Sequence, residues 1–102
     1  MTRVRLFVYG SLRRGERHHD ELSDAEFLGA CATVPSYRVV EVAGYPALVP
    51  GTVAVSGELY SVPSSLVPAL DAFEGSHYRR GPIRLDDGSD AQAYLLAEPY
   101  AS

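Results

Sequence analysis

In the stretch "LDAFEGSHYRR", which runs from Leu70 to Arg80, one carboxylate stands where a helix does not favour it. Glu74 follows the apolar Phe73 and precedes Gly75, so it falls in the last turn of the helix that this stretch would form, where the macrodipole disfavours negative charge. With Leu66 at zero and ~100° per residue, Glu74 lies about 80° round, on the flank of the apolar stripe rather than opposite it. A carboxylate facing a semi-buried cleft has its pKa raised, as a general base working near neutrality requires. Asp71 points farther from the stripe, as a solvated surface acid does. Glu58, on the polar face of a strand, is the rival candidate.

The second stretch that could do chemistry is "RLFVYGSLRRGE", from Arg5. Leu6, Phe7, Val8 and Tyr9 are types that fill a buried strand, and the run stops abruptly at Gly10-Ser11. That turn either reverses the chain or presents a row of backbone N–H groups to a ligand. Ser11 lies in no G-x-S-x-G elbow, which argues against a serine nucleophile. In "ERHHDE" the adjacent His18 and His19 point in different directions and match no zinc spacing, so no metal site is expected. Tyr78, followed by Arg79 and Arg80, is either a strand residue with solvated basic neighbours or a ligand-facing one.

Composition narrows the partners. The 102 residues carry a net charge of -4, which argues against a nucleic acid, although Arg3, Arg5, Arg13, Arg14 and Arg17 cluster around the opening strand. A solvated arginine face is the favoured reading of that cluster, and steering of a small carboxylate the other. With no Lys in the chain, Schiff-base chemistry and a P-loop lysine are excluded. No apolar run approaches the ~20 residues of a bilayer span, and the N-terminus lacks a signal-peptide pattern, so a soluble cytoplasmic protein is expected. The single cysteine, Cys31, sits among small and apolar residues as a buried, inert thiol.

The elements that must position these groups are short. One domain over residues 1–102 is expected, with strands at 4–9, 27–34, 37–42 and 47–49, and two more near 78–85 and 91–97 around the turn signal "DDGSD". From Thr52, "TVAVSGELYSV" alternates as a half-buried strand. The confident helix is "SSLVPALDAFEG": Leu66, Ala69, Leu70 and Phe73 form one stripe, Ser65 is the expected N-cap, Pro68 falls in the first turn, and Gly75 closes the end. So many short strands need closure to hide their edges, which predicts an α+β fold of six or seven short strands and one main flanking helix, with the sheet curled into a small barrel.

"VYGSLRRGE", "YPALVPG", "VSGELYSV", "LDAFEGSHYRR" and "AQAYLL" occur in an order that resembles the gamma-glutamylcyclotransferase-like superfamily, nearest its AIG2-like and gamma-glutamylamine cyclotransferase branch. The resemblance implies that the barrel is a small mixed β-barrel, and it implies a reaction in which a γ-glutamyl group closes on itself to give 5-oxoproline and a released amine or peptide, with no cofactor. It implies that Tyr9, Gly10, Ser11 and Leu12 bind the glutamyl portion through backbone N–H groups, with Glu74 as the catalytic glutamate and Tyr78 and Tyr94 as site tyrosines. The chain has no Asn, whereas family members commonly carry one shortly after "RRG". The alternative is a non-catalytic member that binds a small carboxylate or a protein through the same pocket. Substrate identity and oligomeric state are not implied.

Overall fold

The computed structural model describes residues 2–10, 12–16 and 19–97. Seven strands, β1 (Arg3–Val8), β2 (Glu26–Ala32), β3 (Tyr37–Val42), β4 (Tyr45–Pro50), β5 (Ser56–Pro63), β6 (Tyr78–Arg84) and β7 (Asp90–Leu96), form one mixed sheet, and α1 (Val67–Glu74) lies between β5 and β6 in sequence. This is the expected α+β class.

β1 shows why its sequence is continuously apolar. Leu6 and Val8 pack with Val67 and Leu70 of α1, while Phe7 packs on the other side with Leu48, Leu59 and Ala93, so the strand is covered on both faces. β5, antiparallel to β1, is covered in the same way: Leu59 opposes Phe7, Tyr60 opposes Leu6, and both are buried. The half-buried strand expected from the alternation after Thr52 is therefore corrected. It begins at Ser56, and its second face is roofed by α1 and Leu22.

The strand order is β2-β5-β1-β7-β4-β3, with β6 also on β7. β6 takes one whole edge of β7, from Tyr78↔Leu96 to Arg84↔Asp90. A strand has two edges, so the parallel neighbours β1 and β4 share the other: β1 bridges at Leu6↔Gln92 and β4 at Leu48↔Leu95. Between these two bridges the sheet splits. The rest curls round until Thr33, beyond β2, meets Leu85, beyond β6. That closure is one bridge rather than a ladder, so the sheet is barrel-like without being a true barrel.

The helix is phased differently from the sequence expectation. Ser64–Leu66 forms a separate 3-10 turn in which the Val67 N–H donates to the Ser64 carbonyl, and α1 starts with Leu66, not Ser65, as its N-cap and no side-chain cap bond. That turn shifts the inward stripe by one residue. Val67 and Leu70 are buried and Asp71 and Glu74 half-buried, in the i, i+3, i+4, i+7 pattern, while Ala69 and Phe73 are exposed. Burial of Leu70, 1% exposed, contributes roughly 1.5–3 kcal/mol to docking the helix. Pro68 lies in the first turn as expected, and Gly75, at φ 82°, ends the helix immediately after Glu74. The "DDGSD" segment is the hairpin turn between β6 and β7.

Candidate active site

Where β1 and β4 part, a pocket of about 360 Å³ opens, a size suited to a small molecule. Its walls are the residues just past β1, Tyr9 and Gly10; the β3–β4 hairpin, with Tyr45 and Pro46; the last turn of α1; and the tyrosines Tyr78 and Tyr94. The hairpin tip is a two-residue turn, Ala43-Gly44, with both φ values positive, at 53° and 83°. Ala43 is the one described non-glycine residue in that conformation, and it stands on the pocket's lip.

Four tyrosines line this space, and the hydroxyls of three of them are engaged. Tyr9 donates to the Tyr94 carbonyl and accepts from the Leu48 N–H at 2.9 Å, bridging β7 and β4 where the sheet splits. Tyr78 donates to the Pro46 carbonyl at 2.6 Å. Tyr94 donates to Asp71 Oδ1 at 2.7 Å, and Arg80 clamps the same carboxylate at 3.0 and 3.3 Å. Burial is the main cause that raises all three phenol pKa values, and the Glu74 charge adds to each.

Glu74 is the group left without a donor. Among the described residues no hydrogen bond or ion pair reaches its carboxylate, and burial alone pushes its pKa up to about 7. Asp71, three residues earlier on the same helix face, is held below the usual carboxylate range, chiefly by the Arg80 hydrogen bond, against the opposing effect of burial and with a further contribution from the Tyr94 hydrogen bond. The expected surface acid is thus a half-buried anchor. Its partners lie 9 and 23 residues away, beyond the reach of helical spacing.

The turn after β1 is placed as the sequence suggested, for a reason partly different. Gly10 is not in a positive-φ conformation; a Cβ there would come 3.0 Å from Cγ of Pro46, a contact that the proline ring would have to ease by a few tenths of an ångström, so close approach to the hairpin favours glycine. Neither Gly10 nor Leu12 donates its backbone N–H to an acceptor among the described residues, and Arg13 closes the turn by donating to the Gly10 carbonyl. Leu12 lines the pocket from within the core cluster under α1, 3% exposed. Ser11 lies outside the described residues, as do Arg17 and His18.

The remaining candidates are spent elsewhere. Glu58 accepts from the Arg14 N–H at 2.8 Å and the Tyr60 hydroxyl at 3.0 Å, and so fastens the turn to β5 outside the pocket. Arg3 bonds Ser61, Arg5 bonds the Asp90 carbonyl and Ser89, and Arg14 lies 4.1 Å over the Phe27 ring, so none of these cations lines the pocket. Burial raises the Cys31 thiol, which keeps it protonated at neutral pH. Sequence reasoning missed Asp71 as a tether, and Ala43, Tyr45, Pro46 and His77 as pocket walls. The segment "YPALVPG" carried a signal for two of these.

The comparisons with known proteins converge. The family model described as "Gamma-glutamyl cyclotransferase, AIG2-like" matches residues 6–101. The Escherichia coli "Gamma-glutamylcyclotransferase family protein YtfP" is 34% identical over 94% of this chain and 85% of its own. A Danio rerio "Gamma-glutamylaminecyclotransferase C" is 38% identical over 84% of this chain and 64% of its own. Among solved structures, an AIG2-like protein from Mus musculus superposes with a TM-score of 0.80 at 28% identity, covering 100% of this chain and 81% of its own.

Proposed function

The chain belongs to the gamma-glutamyl cyclotransferase, AIG2-like family, and on that premise we propose that it cyclises a γ-glutamyl amine or γ-glutamyl peptide to 5-oxoproline, releasing the amine or the peptide. The observation that carries this reading is Glu74, a carboxylate in the pocket with no donor among the described residues and a pKa raised to about 7.

The chemistry follows from those surroundings. Glu74 takes a proton from the substrate's α-ammonium group; the freed amine nitrogen attacks the γ-carbonyl carbon and forms the new C–N bond of a five-membered ring. The oxyanion that develops is met by the backbone N–H groups of Gly10 and Leu12, which donate to no other acceptor among the described residues. As the C–N bond to the leaving group breaks, the protonated Glu74 returns its proton to the departing nitrogen, and the second proton shed by the ring nitrogen leaves with the released amine as its ammonium ion. A base with a pKa near neutrality serves both transfers. Nucleophile and electrophile belong to one substrate, so holding it folded supplies much of the rate, with effective molarities on the order of 10⁵ M or more for reactions of this type. Tyr9, Tyr78 and Tyr94 shape the pocket in this reading. No cofactor takes part, residues 1–102 act as one domain, and the setting is the cytoplasm.

The test is incubation with a panel of γ-glutamyl amines and γ-glutamyl peptides and detection of 5-oxoproline. Release from at least one is the expected result. No release from any of them by folded protein would replace the enzyme with a module that binds a small carboxylate in the same pocket.

A further inference from the structure

We propose that Asp71 is a positioning residue that holds the Tyr94 hydroxyl away from Glu74, so that the proton acceptor of the pocket stays free for substrate. This rests on the reading of Glu74 as the base. Asp71 and Glu74 are three residues apart on the inward face of α1, a spacing that puts their Cβ atoms about 5–6 Å apart. The Tyr94 hydroxyl, 2.7 Å from Asp71 Oδ1, also feels the Glu74 charge, and Tyr94 lines the pocket with Glu74.

The choice between the two acceptors is set by Arg80. Its Nε and Nη2 reach the two Asp71 oxygens at 3.0 and 3.3 Å, which keeps that carboxylate ionised and a strong acceptor. Burial disfavours the ionised form of Glu74, the weaker competitor for the same proton. The titratable groups that share the pocket with Glu74 are Tyr9 from the end of β1, Tyr45 from β4, Tyr78 from β6, Tyr94 from β7 and His77 from the loop after α1, with Asp71 one turn back on its own helix. The Tyr9 and Tyr78 protons go to backbone carbonyls, of Tyr94 and Pro46. Asp71 is the one side-chain acceptor among these three hydrogen bonds. Removing it would hand Glu74 a phenol donor, which favours the carboxylate form and lowers its basicity.

The test is an NMR titration of the Glu74 carboxyl carbon in protein labelled with ¹³Cδ-glutamate, assigned by its loss in Glu74→Gln. Because it needs no substrate, it decides this proposal even if no γ-glutamyl compound is turned over. Asp71→Ala should lower the Glu74 midpoint by about one unit or more. Tyr94→Phe should leave it raised, and the double variant Asp71→Ala/Tyr94→Phe should return it to the wild-type value. That reversal separates the hydroxyl from the charge of a released Arg80, which both Asp71→Ala proteins share. If Asp71→Ala does not fold, Asp71→Leu, which keeps the side-chain volume, makes the same contrast. An unchanged midpoint in the Asp71 variant, or a shift that persists undiminished in the double variant, would overturn the proposal.

Discussion

On the inward face of α1, the flank where Asp71 meets Arg80 and the pocket end where Glu74 closes the helix are one turn apart and hold the same functional group in opposite conditions. On the flank a guanidinium and a phenol satisfy the carboxylate and hold its pKa down. In the pocket no described residue donates to it, and burial pushes its pKa up to about 7. In the proposed reaction, two carboxylates whose surroundings drive them apart in this way divide structural from reactive work. The helix is fastened by the first so that it can carry the second, which on its own opposes folding.

Neutralising each acid in turn is the strongest way to break the comparison. Glu74→Gln should reduce 5-oxoproline release by about 10²–10⁴-fold, the usual contribution of a general acid–base group, whereas Asp71→Asn, which retains an acceptor for Tyr94, should stay within about tenfold of wild type. A Glu74→Gln protein within a few-fold of wild type would remove Glu74 from the mechanism.

Stability should separate the pair by sign. The folded pKa of Glu74 lies above its ordinary 4.5, so the folded state binds more protons than the unfolded state between about 4.5 and 7. The resulting penalty is absent below that window, grows through it and is complete above it. Glu74→Gln should therefore raise unfolding stability at pH 8 by on the order of 2 kcal/mol, with the gain fading toward pH 5, as urea unfolding at the two pH values would measure. Asp71, with a lowered folded pKa, stabilises above its ordinary 3.8 and loses that contribution as pH falls through the folded value. Its side chain is 41% exposed and solvent screens the pair, so Asp71→Asn should cost no more than about 1 kcal/mol at neutral pH.

The smallest effect sharpens the comparison with a third acid. Glu58 is used by Arg14 and Tyr60, so Glu58→Gln should lower stability by about 1 kcal/mol and leave turnover within a few-fold of wild type. Calorimetry and the 5-oxoproline assay check the two halves.

What could be read from sequence follows the range of each signal. Glu74 was legible because it breaks a local rule at a helix end, and the β6–β7 hairpin because "DDGSD" is local turn chemistry. The phase of α1 was not, because the 3-10 turn at Ser64–Leu66 shifts the register, and the inward face includes Asp71, whose hydrogen bonds come from β6 and β7. The reason for Gly10 was illegible for the same cause: the atom that a Cβ would strike belongs to Pro46, 36 residues away in sequence. The pocket arises where β1 and β4 share one edge of β7, a property of topology that no single segment carries.

The most direct test of Glu74 as the base is the dependence of kcat/KM on pH for 5-oxoproline release, which reports the ionisation of the free enzyme. The rate should climb about tenfold per pH unit on the acid side and bend near the raised Glu74 value of about 7. A bend at about 4.3, where an ordinary solvated glutamate titrates, or a profile flat through neutrality, would contradict the assignment.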